Sequence, residues 1–153
     1  MGARIKQVEY YLPEGILTNE ELEKAYPEWS AAKLEKKVGI KQRHIAGPNE
    51  TSLDLAINAA TKILETEDKN LIDFVLFCTQ SPEYLLPTSA CLLQAKLGLR
   101  TEIGALDFNL GCSGYVYGLA IAKSMVNSGL CKNVLLVTGE TYSKFIAEDD
   151  ISN

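Results

Sequence analysis

A single cysteine framed by glycines lies where two sequence patterns meet. Cys112 stands in "NLGCSGYVYG", after the apolar run 103–110 and before small residues typical of a buried helix. A cysteine in the first turn of a helix meets unpaired N–H groups and about half a positive charge, which favour the thiolate. Gly111 and Gly114 lack a Cβ and allow close approach of a substrate, and nearby N–H groups can stabilise a developing oxyanion. The pattern predicts a thiol nucleophile; the alternative is a small buried hydrophobic residue, as free cysteines usually are.

The remaining cysteines and the histidine have other predicted roles. Cys78 lies in an apolar strand pattern, Cys91 in a helical one, and Cys131 in a loop or strand entry. No C-x-x-C spacing occurs, and one histidine gives little from which to build a zinc site, so we expect no metal. A Cys112–His44 pair, as in a cysteine hydrolase, is an open alternative.

Composition and charge exclude several classes of protein. The chain has 153 residues, of which 46% are hydrophobic and 23% charged, typical of a globular domain with a real core. Its net charge of −5 argues against general nucleic-acid binding. No apolar run approaches the roughly 20 residues of a membrane helix, and the first residues lack the apolar core of a signal peptide. We therefore expect a cytoplasmic protein with no membrane association.

Helix and strand patterns alternate along the chain and predict an α/β fold with a parallel sheet. A capping box at Thr18 and Glu21 predicts a short helix, and Thr88 is expected to cap another that ends at Gly98. Further helices are predicted over 30–37, over 49–65, and from the cysteine corner to Ser128. Strands are predicted at 3–13, 71–79, 103–110 and 133–139.

Positive charge is concentrated in one short window of an otherwise acidic chain. The twelve residues 33–44 include a single acidic residue, Glu35. Such a window can bind phosphates or an acidic protein, or it can be a solvated helix face. Its basic residues are Lys33, Lys36, Lys37, Lys41, Arg43 and His44.

Five segments, in order, resemble the amino-terminal half of β-ketoacyl-acyl-carrier-protein synthase III, a family of thiolase-fold condensing enzymes. They are "YLPEGILTNEELE", "VGIKQRHIAGPNETSLDLA", "LLPTSACLLQAKLG", "ALDFNLGCSGYVYGLAIAKSMVNSG" and "VLLVTGETYSKFI". The resemblance implies a thiolase-like α/β half-domain, with a mainly parallel sheet and helices on both faces.

The resemblance also implies a reaction. Cys112 matches the family's nucleophile, which takes an acyl group from acyl-coenzyme A; a malonyl group on acyl carrier protein is then decarboxylated and condensed onto it. Coenzyme A thioester is thus a substrate, and no cofactor is expected. The product would enter fatty-acid or related biosynthesis. Acyl transfer to an alcohol or amine without condensation is an alternative.

Three further positions gain expected roles from the family. Leu86 stands where members often carry a phenylalanine that reaches into the acyl pocket of the partner subunit, although it could be simple interface packing. Lys37 and Arg43 fall where members approach the pantetheine and nucleotide of coenzyme A. Trp29 is expected to pack against a helix, and the role of Glu140 stays open.

The resemblance finally predicts that residues 1–153 form an incomplete amino-terminal domain. The family's catalytic histidine and asparagine, and the last strand of its first sheet, would lie beyond Asn153. An incomplete unit exposes apolar surface, so we expect a homodimer or association with the missing carboxy-terminal half. A non-catalytic dimerising fragment is the other alternative.

Overall fold

The computed structural model describes residues 2–146. The chain folds as two compact units, one formed by Leu12–Glu50 and the other by the residues before and after it. Within the described residues, no helix is both long enough and apolar enough to cross a membrane.

The unit of residues 12–50 contains a small antiparallel sheet and two helices. Strand β1 (Gly15–Thr18) pairs with β2 (Gln42–Ile45). The intervening chain forms α1 (Asn19–Ala25) and α2 (Ala31–Val38). Both helices were predicted, whereas the antiparallel pair was not.

Local sequence signals set the ends of these helices. The hydroxyl of Thr18 accepts the N–H of Glu21, and the Glu21 carboxylate accepts the N–H of Thr18, so the predicted capping box is confirmed. The hydroxyl of Ser30 accepts the N–H of Lys33 at the start of α2. Gly39 ends α2 at φ 72°, a left-handed conformation that glycine adopts without strain.

The other unit is built on three parallel strands. Strand β3 (Phe74–Cys78) lies between β4 (Gly104–Phe108) and β5 (Val134–Thr138). The three strands run in register, so all of them end at the same edge of the sheet. The predicted buried strands and their parallel arrangement are confirmed.

Helices cover both faces of this sheet, as predicted. Helices α3 (Ser52–Leu64) and α4 (Ser89–Lys96) share a core with the β3 side chains of Val75 and Phe77. Because strand side chains alternate between faces, Leu76 and Cys78 point to the opposite face. Helix α5 (Gly114–Asn127) packs there.

Two glycines bring α5 directly onto the sheet. A Cβ at Gly114 would collide with Cys78 Sγ, and one at Gly118 would lie 2.6 Å from Leu136 Cδ1. The helix therefore needs glycine at both positions to keep this close approach. Its outward apolar side chains, in contrast, are exposed: Tyr115, Val116, Tyr117 and Ile121.

The predicted strand at 3–13 is wrong for the described residues 3–13, which contain no strand. A strand needs a neighbouring backbone to complete its ladder, and here the segment is held by side chains instead. Lys62 Nζ donates to the carbonyl of Tyr10 at 2.8 Å, and the hydroxyl of Thr66 donates to Gln7 Oε1 at 3.0 Å.

The predicted cap of α4 is also wrong. Thr88 occupies the N-cap position but makes no capping hydrogen bond, and its hydroxyl contacts Cys91 Sγ instead. Asp107 of β4 caps the helix, since its carboxylate accepts the N–H groups of Ser89 at 2.7 Å and Ala90 at 2.6 Å. A carboxylate also compensates the positive end of the helix dipole, which a hydroxyl cannot do as well.

Candidate active site

Cys112 lies in the turn between β4 and α5, and its side chain is exposed. This turn leaves the edge at which all three parallel strands end, where ligands bind in open α/β sheets. This exposure favours the predicted nucleophile over a small buried hydrophobic residue, and the catalytic role of Cys112 stays a prediction. Cys78 and Cys131 are buried, and Cys91 is half-buried.

The two buried cysteines are poor nucleophiles. Burial raises the pKa of the Cys78 thiol; a backbone hydrogen bond with Leu110 partly opposes that rise, and the charge of Glu140 adds to it. Burial, followed by the charge of Asp73, likewise raises the pKa of Cys131. A raised pKa keeps both as thiols near neutral pH, and the thiolate is the reactive form.

The turn around Cys112 is compact and glycine-dependent. The carbonyl of Gly111 accepts the N–H of Gly114 at 2.8 Å, which closes the turn just before α5. A Cβ at Gly111 would lie 3.2 Å from Gln80 Oε1, so the carboxamide of Gln80 packs beside the cysteine turn. Among the described residues, no side chain caps α5. The N–H of Gly114 is used inside the turn, whereas those of Tyr115 and Val116 are left to a ligand or to solvent.

Leu86 lies on the loop that follows β3 and leaves the same sheet edge. The loop carries three consecutive apolar side chains at its tip. Tyr84, Leu85 and Leu86 are 62%, 92% and 80% exposed, respectively. The predicted pocket residue is therefore accessible, although its contacts with a substrate or partner remain a prediction.

Glu140, whose role the sequence left open, ties two loops of this edge together. Its carboxylate accepts the N–H of Gln80 at 2.6 Å and the hydroxyl of Ser81 at 2.9 Å. The Ser81 oxygen in turn accepts the N–H of Thr141 at 2.9 Å. Glu140 therefore fixes the chain after β3 against the chain after β5.

A second carboxylate, Glu83, holds the middle of the same loop. It accepts the N–H of Leu53 at 2.8 Å and the hydroxyl of Ser89 at 3.2 Å. These residues belong to the first turns of α3 and α4, so Glu83 joins two helix N-termini beneath the tip. Sequence reasoning missed Glu83, Gln80 and Asp107, because each of them has a partner at least 17 residues away in the sequence.

Lys37 and Arg43 lie in the unit of residues 12–50. Lys37 Nζ is 4.8 Å from the centroid of the Trp29 ring, and Lys33 Nζ is 4.7 Å from it. Trp29 therefore packs against α2, as expected. Arg43 Nη1 donates to Asn19 Oδ1 at 2.8 Å, so part of its guanidinium has a structural partner.

His44 has a structural contact inside the same unit. Its Nδ1 lies 2.6 Å from the carbonyl oxygen of Pro13. Because a carbonyl can only accept, Nδ1 carries the proton. This bond joins β2 to the chain just before β1. Within residues 2–146, no group of three or more His, Cys, Asp or Glu side chains is arranged to hold a metal ion.

The fold and the exposed cysteine define an α/β protein with a candidate thiol nucleophile at the edge of a parallel sheet. A family model described as 3-oxoacyl-[acyl-carrier-protein (ACP)] synthase III matches residues 106–153. The β-ketoacyl-[acyl-carrier-protein] synthase III of Caldanaerobacter subterraneus subsp. tengcongensis is 43% identical over 143 residues, which are 89% of this chain and 41% of that protein.

Solved structures agree with the sequence matches. A crystal structure of 3-oxoacyl-(acyl-carrier-protein) synthase III has 50% identity and a TM-score of 0.93, with coverage of 99% of this chain and 46% of that one. The enzyme from Aquifex aeolicus has 34% identity and a TM-score of 0.87, with coverage of 95% and 47%. The chain spans less than half the length of these relatives. The resemblance to β-ketoacyl-acyl-carrier-protein synthase III that was seen in the sequence is therefore confirmed over the part of these relatives that the chain covers.

Proposed function

We propose that this chain is the amino-terminal part of a β-ketoacyl-acyl-carrier-protein synthase III-like enzyme in which Cys112 is the nucleophile. The observation that carries the proposal is the exposed Cys112 thiol at an uncapped helix N-terminus, at the edge where the parallel strands end. Similarity to synthases of this name supports the same conclusion.

The first chemical step is a thioester exchange. Cys112 Sγ attacks the carbonyl carbon of an acyl-coenzyme A, a new S–C bond forms, and the bond between that carbon and the coenzyme A sulfur breaks. Coenzyme A leaves as a thiolate and takes up the proton that the cysteine gave up, so charge and atoms balance. A thiolate is a good leaving group, and the step therefore needs no strong acid. First-turn N–H groups of α5 are suited to stabilise the oxyanion that forms on the way.

The second step is a decarboxylating condensation. A malonyl thioester on acyl carrier protein loses CO₂, and the resulting enolate carbon attacks the carbonyl carbon of acyl-Cys112. The bond between that carbon and Sγ breaks, which frees the cysteine and leaves a β-ketoacyl carrier protein. The substrate class, acyl-coenzyme A plus acyl carrier protein, places the reaction in fatty-acid or related biosynthesis in the cytoplasm.

Other residues have supporting roles in the proposal. Leu86, at the exposed loop tip, shapes the acyl pocket. Lys37 and Arg43 contribute positive charge toward coenzyme A phosphates or the acidic carrier protein. The exposed apolar side chains of α5 are covered by a second copy or by the carboxy-terminal half of the enzyme, because a contiguous apolar face is costly in water.

Acylation of Cys112 tests the proposal directly. We expect the intact protein, incubated with acetyl-coenzyme A, to gain one acetyl group on the peptide that contains Cys112, as measured by peptide mass spectrometry. Cys112→Ser is the negative control and Cys91→Ser the matched control, which we expect to acylate normally. Acetylation elsewhere, or none, would contradict the assignment.

A further inference from the structure

The loop that follows β3 combines a fixed base with an exposed apolar tip. Ser81 is buried, and its carbonyl accepts the hydroxyl of Ser52 at 2.7 Å. Ser89 is also buried, and its N–H is bound by Asp107. Between these two anchored ends, the side chains of 84–86 are more than half exposed. The contacts that anchor the loop on either side of residues 84–86 thus determine the position of the tip.

Within the loop, the side chain of Glu83 connects the chain just before the tip to helices α3 and α4. One carboxylate oxygen accepts the N–H of Leu53, and the other accepts the hydroxyl of Ser89. Both partners lie in first turns of helices, where an N–H without an intrahelical acceptor needs a partner and negative charge is favoured. Only Tyr84 and Leu85 separate Glu83 from Leu86, so a change at this anchor shifts the tip and not a distant part of the fold.

We propose that Glu83 is a positioning residue that sets acyl-chain selectivity by fixing the tip residues Tyr84, Leu85 and Leu86. This inference rests on the proposed function, in which Leu86 shapes the acyl pocket. The inference assigns a role in selectivity to Glu83, a residue that touches no substrate and acts through the position of the loop. Removal of its carboxylate leaves the N–H of Leu53 and the hydroxyl of Ser89 without their partner, and the tip is then free to move relative to α3 and α4.

A competition assay on the intact protein tests this role. The protein is incubated with an equimolar mixture of acetyl-coenzyme A and hexanoyl-coenzyme A, and the ratio of the two acyl groups on Cys112 is measured by peptide mass spectrometry. For Glu83→Ala we expect the ratio to change by about tenfold, the lower end of what one methylene is worth in a hydrophobic pocket. Glu83→Gln keeps an acceptor and a donor in the same place, and we expect it to retain the wild-type ratio.

Asp73→Ala is the matched control for lost stability. Asp73 also accepts backbone N–H groups, those of Lys132 and Asn133, but it precedes β3 and so lies at the opposite end of the sheet. We expect this variant to be destabilised with an unchanged acyl ratio. Glu83→Asp is one methylene too short to reach both partners, and we expect a shift in the same direction; it replaces Glu83→Ala if that variant does not fold.

The outcomes separate the inference from the proposed function. An unchanged ratio in Glu83→Ala and Glu83→Asp, with normal acylation of the wild type, overturns the role of Glu83 alone. An equal change in Asp73→Ala also overturns it, since the effect would then be general destabilisation. A wild-type protein that acquires neither acyl group overturns the proposed function and this inference together.

Discussion

Substitution of Gly114 tests how closely α5 approaches the sheet beside the cysteine turn. An alanine Cβ at this position would collide with Cys78 Sγ, which lies beneath it on β3, and would be 3.3 Å from Leu110 Cβ. Cys78 is buried within the central strand and has little space to move. We therefore expect Gly114→Ala to push the start of α5, and Cys112 with it, away from the sheet.

Two opposing effects set the magnitude. Overpacking a well-filled core costs roughly 1–3 kcal/mol, whereas replacing glycine by alanine in a helix recovers at most about 1 kcal/mol. We expect a net loss of about 1–2 kcal/mol in the free energy of unfolding. In a Cys78→Ala background the sulfur is gone, and the nearest remaining atom is Leu110 Cβ at 3.3 Å. There we expect Gly114→Ala to be neutral or slightly stabilising, a coupling of about 2 kcal/mol between the two sites.

Urea denaturation of the wild type, both single variants and the double variant measures this coupling. Cys78→Ala alone loses a small buried group and the contact of its sulfur with the Leu110 carbonyl, at a cost of about 1 kcal/mol. Gly118→Ala is the matched control, because its added Cβ meets Leu136 and Phe108 and gains nothing from Cys78→Ala. Equal costs of Gly114→Ala in both backgrounds would refute the close approach described here.

Two other predictions concern carboxylates that bind backbone N–H groups. The hydrogen bond from the Lys132 N–H is the main cause that lowers the pKa of Asp73. Because the pKa of Asp73 is lower in the folded state than in the unfolded state, this carboxylate stabilises the fold at pH values above the unfolded pKa. That stabilisation is lost as the pH falls through the folded pKa. Asp73→Asn should therefore flatten the fall of Tm in acid, below about pH 4, and an unchanged acid slope would contradict this. Asp107→Ala should cost about 1–2 kcal/mol in urea denaturation, because α4 loses its cap, whereas Thr88→Ala should cost almost nothing; equal costs would show that Thr88 is the cap.

Elements governed by local sequence could be predicted. The apolar runs of β3 and β5 are long enough to mark buried strands, and Thr18, Ser30 and Gly39 mark helix ends through their own neighbours. The corner position of Cys112 follows from the same local logic, since a strand pattern precedes it and a helix pattern follows.

Features that depend on distant partners could not be predicted. Residues 3–13 have strand composition, but composition does not supply the neighbouring backbone that a strand needs. The pairing of Gly15 with Ile45 joins short strands across two helices. The cap of α4 is Asp107, not Thr88, and Asp107 lies 18 residues after Ser89, whose N–H it accepts. Glu83 accepts the N–H of Leu53, which lies 30 residues before it. Nothing in the local pattern identifies such partners.

The order of the parallel strands has a consequence for how the chain is made. Strand β5 is synthesised after β4 but pairs with β3, so one edge of β3 stays open until residue 138 has left the ribosome. Bacterial and eukaryotic ribosomes add about 5–20 residues per second, so the 60 residues between Cys78 and Thr138 take roughly 3–12 s. During that interval the unpaired edge of a highly apolar strand is available to other nascent chains.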